Sequence, residues 1–162
     1  MMLSEGVEWA VHCAVVLALL PPERTLSASR LAEYHGVPEA YLAKNLQAMS
    51  RAGVVDSMSG PRGGYRLARS PHRITVLDVV EAVEGAEPAF RCTEIRQRGP
   101  AGLAAGAYRV PCSIHLLMVR ADRAWRRELE ETSIADLVDA VAGKAPPQAV
   151  VKAAAWFTEA MR

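Results

Sequence analysis

The fold is decided by the segment VPEAYLAKNLQAMSRAGVVDSMSGPRGGYRLA, residues 37–68, in which the spacing of the apolar residues changes once. After Pro38, whose missing N–H costs nothing in a first turn, apolar residues recur at helical spacing. Residues 54–58 and 65–68 then have the composition of two short strands. The segment predicts a helix over residues 38–52 followed directly by a β-hairpin.

The glycine-rich stretch GPRGGY, residues 60–65, joins the two strands. It matches neither a G-x-x-x-x-G-K-[ST] nor a G-x-G-x-x-G pattern, and no helix is predicted to start at Gly64, so a phosphate cradle is disfavoured. Glycines at a strand connection permit positive φ and close backbone approach. We therefore interpret the stretch as a tight turn that presents Arg62.

A shorter helix precedes this segment. Ser27 is an N-cap candidate for a helix over residues 28–34, and Gly36 is placed to end that helix. Two helices joined by a short Gly-Val turn are typical of a helix-turn-helix, and the hairpin supplies a wing. The predicted fold class is mainly α with a small β-hairpin wing: a winged helix-turn-helix with a long dimerisation helix.

The rest of the chain predicts five more helices and one irregular stretch. Ser4 and Thr75 are N-cap candidates for helices on either side of the predicted helix-turn-helix. We divide the chain into a winged helix-turn-helix domain for DNA binding (1–85), an irregular loop (86–111), and a dimerisation helix with C-terminal helices (112–162). The long helix places these apolar residues on one side, where they could bury against a second copy: Ile114, Leu117, Met118, Ala121, Trp125 and Leu129.

Positive charge is concentrated in residues 24–73, which contain the predicted helix-turn-helix and wing and are called the reader below. They hold eight Lys or Arg against three Asp or Glu, although the whole chain has a formal net charge of only +1. A basic helix-turn-helix predicts contact with a double-stranded DNA operator, although a helix of this kind can also simply present a solvated face. The predicted DNA-contacting residues are Ser27, Glu39, Tyr41, Lys44, Asn45, Gln47, Arg51 and Arg62.

Several functional classes are disfavoured by the sequence. The apolar stretch over residues 9–20 contains His12 and is too short to cross a bilayer, and no secretory-signal pattern is present. No nucleophile-base set points to an enzyme or to a small-molecule substrate. We expect a cytoplasmic protein without a membrane partner.

The three cysteines divide into two groups. Cys13 lies in an apolar run, where a free cysteine packs as a small hydrophobe. Cys92 lies within the irregular stretch and Cys112 directly follows it, and an odd cysteine count without a signal argues against a disulfide framework. Cys92 and Cys112 are therefore candidates for a metal or redox site.

Residues 41–85, from YLAKNLQ to VVEAVEG, resemble the Rrf2 family of bacterial transcription regulators. The wing G-P-x-G-G-Y-x-L-A, the helix I-T-V-L-D-V-V-E-A-V-E-G and the cysteines in the following loop carry the resemblance, which extends over roughly residues 3–137. It implies a homodimeric DNA-binding regulator in which residues 86–111 form a sensor loop and Arg62 enters the minor groove. The loop departs from the family's three-cysteine pattern, because Tyr108 stands where a further cysteine is expected.

The stretches VEWAVHC and FRCTEIRQRGP resemble a redox-responsive, RsrR-like subgroup of that family. The resemblance implies a [2Fe-2S] cluster held by Cys92, Cys112, His35 and Glu8, with Glu8 contributed by the partner subunit. His12 and His115 are rival ligands. The alternative is a cluster-free regulator in which Cys92 and Cys112 form a thiol-disulfide switch.

Overall fold

The computed structural model describes residues 3–60 and 63–161. In that part of the chain, the fold is mainly helical with one two-stranded antiparallel hairpin, which confirms the predicted fold class. Three short 3-10 turns lie between the longer elements. The elements are α1 (Glu5–Ala18), α2 (Ala28–His35), α3 (Glu39–Arg51), β1 (Val55–Met58), β2 (Gly64–Leu67), α4 (Val76–Glu84), α5 (Ser113–Glu131), α6 (Ile134–Ala142) and α7 (Pro147–Ala160).

Helices α2 and α3 form the helix-turn-helix. The Ser27 side chain accepts a hydrogen bond from the Arg30 backbone N–H at 3.2 Å and so caps α2, as predicted. The side chains of Leu31, Leu42 and Leu46 are completely buried. Burial of each leucine contributes roughly 1.5–3 kcal/mol, so apolar packing fixes the angle between the two helices.

The hairpin pairs β1 with β2, with Val55 opposite Leu67 and Met58 opposite Gly64. A further pairing joins it to the chain ahead of α2, because Leu26 and Tyr65 exchange backbone hydrogen bonds of 3.0 and 2.7 Å. Gly64 permits this contact: its φ is +153°, and a Cβ there would lie 2.5 Å from the backbone of Leu26. The wing is thereby fixed to the helix-turn-helix.

Helix α1 crosses the core, and α4 and α6 pack against it. Thr75 forms a capping box at the start of α4, and Ser133 forms one at the start of α6. The chain segments around these two residues pair, and the Ile134 N–H donates to the Ile74 carbonyl at 2.9 Å. The Ser4 hydroxyl does not cap α1 and instead donates to Glu84 at 2.5 Å. Helix α6 therefore belongs to the same core as the reader, while the three-part division of the chain stays a prediction.

The two halves of α5 have different surroundings. Trp125 and Leu129 pack on Val7, Val76 and Val80 of their own chain, rather than being left free for a second copy as the sequence predicted. The first half is open: Ile114 is 63% exposed and Leu117 is 54% exposed. The apolar residues of α5 that stay exposed therefore lie in its first half.

Helix α7 returns to the reader. The Trp156 and Phe157 rings lie 4.8 and 5.6 Å from the Tyr34 ring of α2, centroid to centroid. The Arg24 guanidinium donates to the Met161 carbonyl at 3.2 Å and secures the end of the helix. Among the described residues, no helix combines the length and the apolar character that a bilayer span needs.

Candidate functional site

The exposed face of α3 carries most of the predicted DNA contacts. Glu39, Lys44, Gln47 and Arg51 are exposed. Tyr41 is 58% exposed, with its ring edge-on to Trp9 at 5.7 Å and the Lys44 ammonium 5.6 Å from its centroid. This face combines hydrogen-bonding and cationic side chains, which are the groups that contact base edges and phosphates.

Asn45 differs from the prediction because its side chain faces the interior. It is 9% exposed, and its amide donates to the Gly6 carbonyl of α1 at 3.3 Å. A Cβ added at Gly6 would lie 2.9 Å from the Asn45 Nδ2, so the two helices meet closely there. Asn45 therefore holds α3 on α1 and is removed from the DNA-contacting set.

The other two predicted contacts lie outside α3. Ser27 is half-buried, and its hydroxyl is engaged in capping α2 and in a 2.8 Å contact with the Ser29 hydroxyl. Arg62 lies outside the described residues, so its role stays a prediction from the sequence. The described face is consequently formed by α3 alone.

His35 ends α2 beside a second histidine. Its ring lies 5.8 Å from the His12 ring on α1 and 5.0 Å from the Tyr34 ring. Burial, and secondarily the neighbouring His12, lower the pKa of His35. Its Nε2 is buried and has no hydrogen-bond partner in the described chain. The imidazole is therefore neutral near neutral pH and has an unused nitrogen.

Cys92 and Cys112 meet across the sensor loop. The Cys92 sulfur, the Cys112 sulfur and a carboxylate oxygen of Glu94 all lie within 4.8 Å of one another. The Cys92 thiol donates to Glu94 Oε1 at 3.5 Å. The three groups line an open concavity of about 600 Å³ together with His115 and Phe90. Soft sulfur ligands beside a carboxylate and an imidazole form a donor set suited to a thiophilic metal.

Arg96 organises this loop. Its guanidinium pairs with Glu94 at 2.6 Å, lies 4.4 Å from the centroid of the Tyr108 ring and donates to the Val110 carbonyl at 3.4 Å. The Tyr108 hydroxyl in turn donates to the Arg96 carbonyl. Tyr108, which stands where the family pattern has a cysteine, therefore supports the loop through its ring and its hydroxyl.

The chain's cysteines differ in ionisation as well as in position. The backbone N–H groups of His115 and Ile114, at the start of α5, lower the pKa of the Cys112 thiol. Burial raises the pKa of Cys13 to about 12, and that residue is fully buried. Of Cys112 and Cys13, Cys112 therefore has the more readily ionised thiol, and Cys13 is the core residue that the sequence predicted.

The four predicted cluster ligands do not meet within one chain. Glu8 is exposed on α1 and His35 ends α2, and neither lies in the concavity that holds the two sulfurs. Only Cys92 and Cys112 of that set are brought together. A site with all four groups would need a second chain.

Glu94 is the residue that sequence reasoning missed. It lies two positions after Cys92 and adopts left-handed backbone angles, φ 49° and ψ 54°, which are uncommon outside glycine. Its pKa is lowered chiefly by the hydrogen bond from Arg96. The pattern C-x-E-x-R in CTEIR, residues 92–96, was the sequence signal for Glu94. It indicates a set of metal ligands only when the loop places Cys112 beside it.

The sequence of residues 3–140 matches the Rrf2 family, described as iron-dependent transcriptional regulators. The chain belongs to the Rrf2 family. It is therefore an Rrf2-type transcription regulator, and family membership supports a regulator rather than an enzyme.

Relatives agree with this assignment, and solved structures show a shared fold. A helix-turn-helix transcriptional regulator of Aquifex aeolicus is 38% identical over 81 residues, which is 50% of this chain and 56% of that relative. The structure of CymR, the global cysteine regulator of B. subtilis, superposes with a TM-score of 0.67 at 23% identity, covering 86% of this chain and 97% of CymR. T. potens IscR superposes with a TM-score of 0.66 at 24% identity, covering 90% and 93%. These two structures establish the shared fold.

Proposed function

We propose that the protein is a homodimeric, DNA-binding transcription regulator that senses redox state through a [2Fe-2S] cluster. The observation that carries this proposal is the approach of the Cys92 and Cys112 sulfurs to within 4.8 Å at the start of α5. Thiolates are the standard protein ligands of iron-sulfur clusters, and these two are close enough to bind the same cluster.

The second copy is inferred from the first half of α5. Ile114, Leu116 and Leu117 are 63%, 44% and 54% exposed, and they begin two residues after Cys112. An apolar helix face of this kind is stabilised by burial against another surface, and a two-fold dimer pairs it with itself. The same symmetry would present two α3 helices to a palindromic operator.

The remaining ligands are proposed to be Glu8 and His35 of the second copy. The neutral His35 ring and its unpaired Nε2 support this assignment, because the neutral imidazole is the form that binds metal. When bound, such a cluster supplies a reversible one-electron acceptor whose potential rises when imidazole replaces thiolate on an iron.

His35 also connects the proposed site to the reader. It is the last residue of α2, and only residues 36–38 separate it from α3. A bond at its Nε2 would restrain the end of α2 and hence the orientation in which α3 presents Tyr41 and Gln47. Loss or rearrangement of that bond would change operator affinity.

The test is to purify the chain without oxygen and to determine iron, sulfide and the visible spectrum. We expect a red-brown protein that contains equal amounts of iron and sulfide and whose colour bleaches on reduction. Its binding to a palindromic DNA duplex, measured as a mobility shift, should depend on the redox state. A colourless preparation that contains neither iron nor sulfide would exclude the cluster.

The ligand set is tested with His35→Ala, which should alter the cluster spectrum. His72, an exposed histidine on a 3-10 turn, provides the control as His72→Ala. If His35→Ala leaves the spectrum unchanged, the rivals His12 and His115 take its place. Arg62→Ala should weaken DNA binding with no spectral change, and unaltered affinity would remove the wing from DNA contact.

The second candidate is a thiol-disulfide switch between Cys92 and Cys112. The short distance between their sulfurs and the lowered pKa of Cys112 favour it, because the thiolate is the reactive form. An oxidised form of Staphylococcus aureus CymR, a protein of the same fold, has been crystallised. This candidate predicts an oxidant-induced change in DNA binding that persists in iron-free protein and in His35→Ala.

A further inference from the structure

We propose that Cys92, Glu94, Cys112 and His115 of a single chain form a site for one thiophilic divalent cation of the zinc class. The site goes beyond the proposed cluster: it lies within one chain, uses neither Glu8 nor His35, and would occupy the same two thiolates in a cluster-free protein. It requires neither the cluster nor DNA.

The positions of three donors support the site. Tetrahedral zinc with Zn–S bonds of about 2.3 Å places two sulfur ligands about 3.8 Å apart. The Cys92 sulfur, the Cys112 sulfur and a Glu94 oxygen already lie within 4.8 Å of one another, and the Cys92 sulfur lies 3.5 Å from Glu94 Oε1. Small side-chain rotations would bring all three donor atoms onto one ion.

His115 supplies the fourth donor. It follows Cys112 by one turn of α5 and lines the same concavity as the three other groups. Its Nδ1 is buried and has no hydrogen-bond partner among the described residues. A buried polar nitrogen without a partner is costly, and a metal bond would satisfy it.

The charges of the surroundings fit a divalent ion. Two thiolates and the Glu94 carboxylate carry three negative charges, which a divalent cation and the Arg96 guanidinium balance. Arg96 contacts both Glu94 oxygens, at 3.3 and 2.6 Å, and so orients the carboxylate, with Oε1 directed towards Cys92. This is the arrangement in which a neighbouring group fixes a metal ligand from outside the coordination sphere.

The set Cys₂-Glu-His is chemically distinct from the proposed cluster set. Two thiolates, one imidazole and one carboxylate match the ligand types and the number that zinc takes in tetrahedral sites. A bound ion would tie both sulfurs to one position and block their oxidation to a disulfide. It would also link the sensor loop to the first turn of α5, where the exposed apolar face begins.

The test is a cobalt(II) titration of the full chain, reduced, freed of metal by chelation and kept without oxygen. We expect one equivalent per chain to produce thiolate-to-cobalt charge-transfer absorption and the intense visible bands of tetrahedral cobalt, both abolished by added zinc. Glu94→Gln and His115→Ala should each weaken cobalt binding by at least about 10-fold, because even the loss of a group outside the coordination sphere costs about 10- to 100-fold.

Matched controls separate this site from the cluster set. Glu87→Gln removes an exposed carboxylate in the same segment and should leave cobalt affinity unchanged, as should Glu8→Gln and His35→Ala. The proposal is overturned if no thiolate charge-transfer band forms, or if Glu94→Gln and His115→Ala bind cobalt as tightly as the parent. Cobalt affinity that depends on Glu8 and His35 instead would also overturn it. Iron and sulfide determination of the untreated protein tests the cluster separately.

Discussion

The DNA reader and the sensor loop are stabilised by different physical means. In the reader, Leu31, Leu42, Leu46 and Met49 are completely buried. None of residues 86–111, all of which the structure describes, is buried, and Ile95 is 72% exposed. Apolar burial therefore fixes the shape of the reader, whereas polar contacts, centred on Arg96, hold the loop.

The largest expected difference between the two regions is in stability. Leu46→Ala should lower the free energy of unfolding by about 2–5 kcal/mol, because it empties a filled position in the core. Ile95→Ala, in the loop, should change it by less than about 0.5 kcal/mol. Urea unfolding of both variants measures the difference, and equal effects would show that the loop shares the core.

A smaller effect separates two neighbouring polar residues of α3. Asn45→Ala should cost about 1 kcal/mol, since it removes the buried hydrogen bond to the Gly6 carbonyl. The matched variant Gln47→Ala, on the exposed face, should leave stability unchanged and weaken binding to the operator. Unfolding and DNA-shift measurements together check the assignment, and a stable Asn45→Ala with a selective loss of DNA binding would return Asn45 to the DNA-contacting set.

The smallest expected effect on global stability comes from Arg96→Gln. Its partners are all in the loop, so the unfolding midpoint should stay unchanged, while a protease of broad specificity should cleave residues 86–111 faster. Arg98→Gln is the control, because the Arg98 guanidinium donates one hydrogen bond among the described residues, to the Thr93 carbonyl at 3.4 Å. Equal cleavage rates for the two variants would show that the Arg96 contacts do not stabilise the loop more than the Arg98 contact does.

The fold was largely predictable because its signals are local. Ser27, Thr75 and the glycines mark the ends of helices within a few residues, and the change of period after residue 53 marks the hairpin. The approach of Cys92 to Cys112 was expected only from family resemblance. The structure places the two sulfurs side by side across twenty positions of chain.

The parts that sequence did not predict all depend on contacts between distant segments. A polar residue on a basic helix is interpreted as exposed, and only the close approach of α1 at Gly6 explains why Asn45 is buried. Glu94 becomes a candidate ligand only because the loop folds back on α5. The same holds for the packing of Trp125 inside its own chain, which reduces the face left for a partner.

The backbone pairing of Leu26 with Tyr65 has a mechanical consequence. It joins strand β2 to the chain that leads into α2, so the described part of the wing is held against the two reader helices. In the proposed dimer, two such readers must meet half-sites about one helical turn of DNA apart. In that dimer, a signal would change the separation and the tilt between the two copies. Operators with altered half-site spacing would report that change directly.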